Sequence, residues 1–149
     1  MEIRDFLSPM HASIDVRATD KSGLLRELSN QAGKALNVSP DRIFTELLKR
    51  EELGSTGTGG GVAIPHARMP EVKAPFGMLV RLQQAISFDA IDGQLVDIVF
   101  LLLLPATPAG DQLSALASIA RKLRDPSALR HLRRASDAAE LFGVVVRHA

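Results

Sequence analysis

The chain has 149 residues, 46% of them hydrophobic, and a mean hydropathy of +0.08, which suits an ordinary soluble protein with one domain and a sizeable core. Its 18 Lys and Arg nearly balance 17 Asp and Glu, so no global field recruits nucleic acid or an anionic membrane. The local run Arg130, Arg133, Arg134 reads as a solvated helix face. Cysteine is absent, which excludes a disulfide framework and thiolate metal ligation, and no signal-type apolar run follows a basic N-terminus; a cytoplasmic protein is the simplest reading.

In chain order, Met1 to Val16 suggests a short helical turn around Ser8-Pro9 and then a brief strand, with His11 in the connection. Asp20 is placed to cap a first amphipathic helix whose apolar face is Leu24, Leu25, Leu28, Ala32 and Leu36. Ser39-Pro40 starts a second helix, with Ile43, Phe44, Leu47 and Leu48 on its apolar side and an end between Glu52 and Gly54. The triplet Val62 to Ile64 has strand character and stops at Pro65. Beyond a proline-flanked loop, Met69 to Phe76, strands are expected at Met78 to Leu82, Ile86 to Ile91 and Val96 to Leu104. Ile98 to Leu104 is the longest unbroken apolar run; it falls far short of the ~20 residues a membrane-spanning helix needs and suits a central strand covered on both faces.

Asp111 is placed to cap a third helix with a core stripe of Leu113, Leu116, Ala117, Ala120 and Leu123. Asp125-Pro126 and Asp137 with Glu140 open two shorter helices. The interleaving predicts an α/β fold, a single-domain sandwich over residues 1–149 in which a small mixed β-sheet is flanked by α-helices. No internal repeat or linker interrupts it.

The chemistry concentrates in Gly54 to Arg68, GSTGTGGGVAIPHAR. Five of the 11 glycines lie between Gly54 and Gly61, a backbone free to adopt positive φ that leads into the strand and then, past Pro65, to His66. The proline is expected to turn the chain and present His66 beside the glycine loop. A neutral imidazole nitrogen attacks phosphorus without first losing a proton. Glycine-rich N–H groups, Gly59 and Gly60 among them, can cradle the anion that results, and the hydroxyls of Ser55, Thr56 and Thr58 can add donors. Arg50 offers a guanidinium fork that matches phosphate oxygens, or simply complements the helix dipole in the last turn of the second helix; spacing does not separate the two.

Other chemistries lack their motifs. No Gly-Lys-Ser/Thr closes the glycine run, and Val62 stands where a dinucleotide fingerprint needs its third glycine, so neither ATP nor NAD is expected and no cofactor is called for. No second histidine lies at ligand spacing from His66, which argues against a metal. His131 and His148 have no assigned role, and no Gly-x-Ser-x-Gly elbow is present.

The segment KREELGSTGTGGGVAIPHAR, Lys49 to Arg68, resembles the active-site segment of the fructose/mannitol-type IIA components of the bacterial phosphoenolpyruvate-dependent sugar phosphotransferase system. IRDFLSP near the start, DGQLVDIVFLLLLP and the helix near Asp111 are placed as in that family, and a free-standing domain is most similar to its nitrogen-regulatory branch. The resemblance implies a mixed sheet sandwiched by helices and a phosphotransferase component, one that forms a phosphohistidine at His66 with phosphate from a small histidine phosphocarrier protein. It places Arg50 beside that histidine. It also marks two departures: Gln112 stands where a second histidine is common, and Ala67 where glycine is frequent, adding a Cβ near the site. The expected role is a phosphocarrier that regulates partners through its phosphorylation state. Open beside it are a sugar-specific IIA component that passes phosphate to a IIB partner and a IIA-like binding module that is never phosphorylated. Neither nucleic acid nor membrane insertion is expected; the regulated partners are not named by the residues, and a homodimer is left open.

Overall fold

The computed structural model describes residues 1–107 and 110–147, the side chains of 110–112 excepted. Two 3₁₀ turns, Ile3–Asp5 and Pro9–His11, precede strand β1 (Ala12–Val16) and helices α1 (Lys21–Leu36) and α2 (Pro40–Glu52). Strands β2 (Gly57–Gly59), β3 (Val62–Ala63), β4 (His66–Met69), β5 (Phe76–Ile86) and β6 (Val96–Pro105) follow, and α3 (Gly110–Lys122), α4 (Pro126–Arg134) and α5 (Ala138–Val146) complete the described chain.

The strands form one six-stranded sheet in the order β1-β5-β6-β3-β2, with β4 also paired to β6. Strand β6 lies at its centre, antiparallel to β5 and parallel to β3 and β4. Its side chains alternate between two cores. Ile98, Phe100, Leu102 and Leu104 join Ala115, Ile119, Leu132, Leu141 and Val145 from α3, α4 and α5 on one face. Val99, Leu101 and Leu103 join Leu24, Leu25, Leu28, Ile43 and Leu47 from α1 and α2 on the other. A strand covered on both faces has no reason to alternate apolar with polar residues, which is why VDIVFLLLLP reads as a continuous apolar run. Three helix caps follow their chemistry: Asp20 accepts from the N–H of Gly23, Asp125 from that of Ser127 and Asp137 from that of Glu140, whereas Ser39 precedes α2 without a side-chain cap bond.

Four details differ from the sequence expectation. The strand expected to end at Pro65 is only interrupted there. Val62 pairs with Ile98 and His66 with Leu102 in the same register, and the N–H of Leu102 donates to the Pro65 carbonyl. Proline removes one ladder donor but keeps its acceptor, so the chain resumes as β4. Ile86 to Ile91 is no separate strand: Ile86 ends the long β5, and Phe88 is buried from a non-strand segment. Of the stripe expected for α3, Leu116 and Ala120 pack against the core and Leu123, just past the helix, is buried, but Leu113 is 70% exposed and the deepest positions are Ala115 and Ile119; the stripe is shifted because nearby hydrophobic residues allow more than one phase at helical spacing. Helix α3 begins at Gly110, placing Asp111 inside its first turn and not at its cap.

Candidate functional site

The break at Pro65 determines how His66 is displayed. Residues two apart on a strand share a face, so Val62, Ile64, His66 and Arg68 form one row, and Ala63, Ala67 and Met69 the opposite one. Val62 and Ile64 are buried in the core beneath α3, α4 and α5; His66 is half-buried and Arg68 exposed as that row emerges. Ala67 and Met69 are buried against α1 and α2. The Cβ of Ala67, though next to His66 in sequence, thus lies on the opposite face of the strand.

The imidazole turns back on its own strand, with Nδ1 2.8 Å from the carbonyl oxygen of Ile64. A carbonyl can only accept, so Nδ1 carries the proton and Nε2 keeps the lone pair. Burial is the main cause that holds the pKa of His66 below its ordinary value, and the positive charges of Arg50 and Arg68 push in the same direction. The bond to Ile64 and the carboxylate of Glu51 oppose them. A ring kept neutral by burial and two guanidinium groups is a nucleophile at neutral pH, and those same groups suit an arriving dianion.

The residues expected to line the loop divide into two sets. The Ser55 hydroxyl donates to the carbonyl of Phe88 at 2.6 Å and accepts from the N–H of Gly57. Thr56 is buried, and both its N–H and its hydroxyl donate to the carboxylate of Glu51. Gly60 gives its N–H to Asp92 at 3.0 Å and its carbonyl accepts from Arg133 at 2.6 Å. These three therefore hold the loop in shape, and their donors are already committed. Thr58 keeps an exposed hydroxyl with no protein partner among the described residues, and Gly59 closes β2 opposite Val62. Arg50 donates to the carbonyl of Gly54 at 2.9 Å, which ties the end of α2 to the loop's first residue. Gln112 lies in the first turn of α3, and its side chain falls outside the described residues.

Four residues of this neighbourhood escaped the sequence reading. Arg68 is two positions beyond His66 and would have been visible had β4 been anticipated. Asp92, in the connection between β5 and β6, has its carboxyl held below the usual range by the N–H groups of Gly60 and Gln94. Arg133, read as part of a solvated helix face, binds Asp97 through both Nε and Nη2 and reaches the Gly60 carbonyl. Glu51 is a buried carboxylate within a polar stretch, a position with no sequence signal.

An α/β sandwich that places a neutral, anchored histidine beside a glycine loop and two arginines defines the class of protein. The family model for the phosphoenolpyruvate-dependent sugar phosphotransferase system, EIIA 2, matches residues 5–147. The chain belongs to that family. It is 40% identical over 145 residues to a nitrogen regulatory protein of Bradyrhizobium diazoefficiens, covering 97% of this chain and 95% of that one. It is 39% identical over 131 residues to the nitrogen regulatory protein of Escherichia coli, covering 87% and 80%. The crystal structure of nitrogen regulatory protein IIA-Ntr from Neisseria meningitidis superposes with a TM-score of 0.91 at 34% identity, over 96% of this chain and 98% of that one. Among the described residues, no helix is long and apolar enough to cross a membrane.

Proposed function

We propose that residues 1–149 act as one IIA-type domain that accepts a phosphoryl group on His66 from a histidine phosphocarrier protein and regulates partner proteins through its phosphorylation state. The observation that carries this reading is the anchoring of Nδ1 on the Ile64 carbonyl, which directs the lone pair to Nε2. In the reaction, Nε2 attacks phosphorus as the carrier's N–P bond breaks, and that bond's electron pair returns to the carrier's ring. No proton has to leave His66. The phosphorylated ring keeps its Nδ1 proton, and the positive charge it gains is supported by the Ile64 carbonyl.

Transferred phosphate spreads charge over three oxygens, and catalysis depends on positioned donors. Arg50 fills that role in this reading, with Arg68 as a second cation. The loop donor is the Thr58 hydroxyl; Ser55, Thr56, Gly59, which pairs with Val62, and Gly60 contribute by shaping the loop. Gln112 is a candidate amide donor that cannot become cationic. The names of the relatives, nitrogen regulatory protein in Bradyrhizobium and Escherichia, favour a regulatory output over a sugar-specific one.

The test is incubation with phosphoenolpyruvate and the upstream carrier proteins. The expected product is an acid-labile, base-stable mass increase of one phosphoryl group that is absent from His66→Ala. Labelling that survives this substitution overturns the assignment.

A further inference from the structure

Ionised carboxylates are seldom buried, because removing one from water costs several kcal/mol unless donors replace the lost hydration. The side chain of Glu51 is only 5% exposed and has three donors: the N–H of Thr56 at 3.1 Å, the Thr56 hydroxyl, and Nζ of Lys21 at 2.8 Å. The carboxylate and its two partner residues come from three places in the chain. Glu51 lies in the last turn of α2, Lys21 is the first residue of α1, and Thr56 opens the glycine loop. Lys21 also lies 4.8 Å over the Phe88 ring and 3.8 Å from Asp89, within the segment whose Phe88 carbonyl accepts from Ser55.

Adjacent residues of one helical turn thus grip the same loop. Arg50 holds the Gly54 carbonyl and Glu51 holds Thr56, so two successive side chains fix the path between α2 and the residues that face the phosphate. An apolar residue at position 51 could fill the space, but it could not satisfy an N–H, a hydroxyl and an ammonium together.

Resting on the phosphocarrier reading, we infer that Glu51 is a positioning residue for phosphoryl transfer, acting through Thr56 and Lys21 to set where the glycine loop begins and how Arg50 is aimed. Its carboxylate also supports the imidazolium form of His66, so its removal has a signature at the histidine that loss of packing alone does not produce.

The experiment uses the full chain with Glu51→Gln, which keeps the size of the side chain and removes its charge. The expected result is a folded protein, by cooperative thermal melting, in which amide exchange from Thr56 to Gly61 is at least ~10-fold faster. Transfer from the phosphorylated carrier falls about 10- to 100-fold, as expected of reacting groups displaced by an ångström or less. The titration of His66, followed by NMR of its ring, moves to lower pH. Thr56→Val, nearly isosteric and uncharged, is the second variant; it is expected to show the same faster loop exchange and slower transfer, and it serves alone if Glu51→Gln does not fold. A folded variant with wild-type loop exchange or wild-type transfer overturns the inference. Failure of the wild-type protein to accept phosphate overturns the phosphocarrier reading itself, a result distinguishable from unaltered exchange in the variants.

Discussion

The two ends of the glycine run are held by different means. At its start, Gly54 to Thr56, the holding groups are side chains of the preceding helix, Arg50 and Glu51, with Glu51 almost fully buried. At its tip, Gly59 to Gly61, φ values of +101°, +68° and +81° carry the backbone through the left-handed region, and the holding groups come from distant, solvent-exposed parts of the chain. Asp92 takes the N–H of Gly60, while Arg133, gripped by Asp97, takes its carbonyl. The start is therefore a buried clamp built from neighbouring residues and completed by Lys21 of α1, and the tip a polar bracket assembled by the fold. A buried charge resists screening and solvent exchange; an exposed one does not. The hold on the tip should accordingly weaken with added salt more than the hold on the start.

The strongest way to break this contrast is Gly61→Ala. The new Cβ would lie 2.4 Å from Nη2 of Arg133 and 3.1 Å from Oδ1 of Asp97 at a residue with φ of +81°. Left-handed strain, together with loss of the Arg133 bond to the Gly60 carbonyl as the new Cβ pushes that guanidinium aside, predicts a loss of about 3 kcal/mol, readable as a lower denaturation midpoint. A midpoint within error of wild type would mean that the bracket contributes nothing to stability.

Next in size is Arg50→Ala, which removes both the tie to Gly54 and a cation near His66. Transfer from the phosphorylated carrier should fall roughly 10²-fold in single-turnover kinetics, the scale of losing one preorganised donor. An unchanged rate in the folded variant would return Arg50 to a role at the helix C-terminus.

A third, smaller effect lies in the pH dependence of stability. His66 has a folded-state pKa below its unfolded value, so above about pH 6.5 both states are neutral and stability is at its full value. As the pH falls from there toward the folded-state pKa, the unfolded chain binds the proton first and stability declines. His11, partly buried and edge-on to the Phe76 ring, is shifted in the same direction and adds to the slope. His66→Asn should flatten the slope between about pH 6.5 and 5 but leave the His11 part in place, as measured by denaturant midpoints across that range. An identical slope in the variant would show that the folded state does not resist protonation of His66.

The smallest change expected is from Thr58→Ala, at the exposed hydroxyl between the two ends. Its stability should stay within about 0.5 kcal/mol of wild type, with any effect confined to the rate of phosphoryl transfer. A large loss of stability would show that the middle of the loop is as tightly built as its start.

What the sequence determined by itself was everything carried by local pattern. The α/β class, the central strand β6 and the cap residues Asp20, Asp125 and Asp137 were legible because apolar spacing and capping chemistry act within a few residues. His66 and the glycine run were legible for the same reason, being contiguous. Tertiary structure alone decided the partners of those residues. Whether Ser55, Thr56 and Gly60 turn their donors to a phosphate or to Phe88, Glu51 and Asp92 depends on contacts with side chains and backbone brought close by folding. The same holds for Arg133, which composition assigned to a solvated face and which reaches back 73 positions to Gly60. The phase of α3 was also settled only by packing against β6, since nearby hydrophobic residues permit more than one helical stripe and the sheet accepts the one it can cover. Hydrogen-bond partners and buried faces are properties of pairs, and a linear pattern records only one member of each pair.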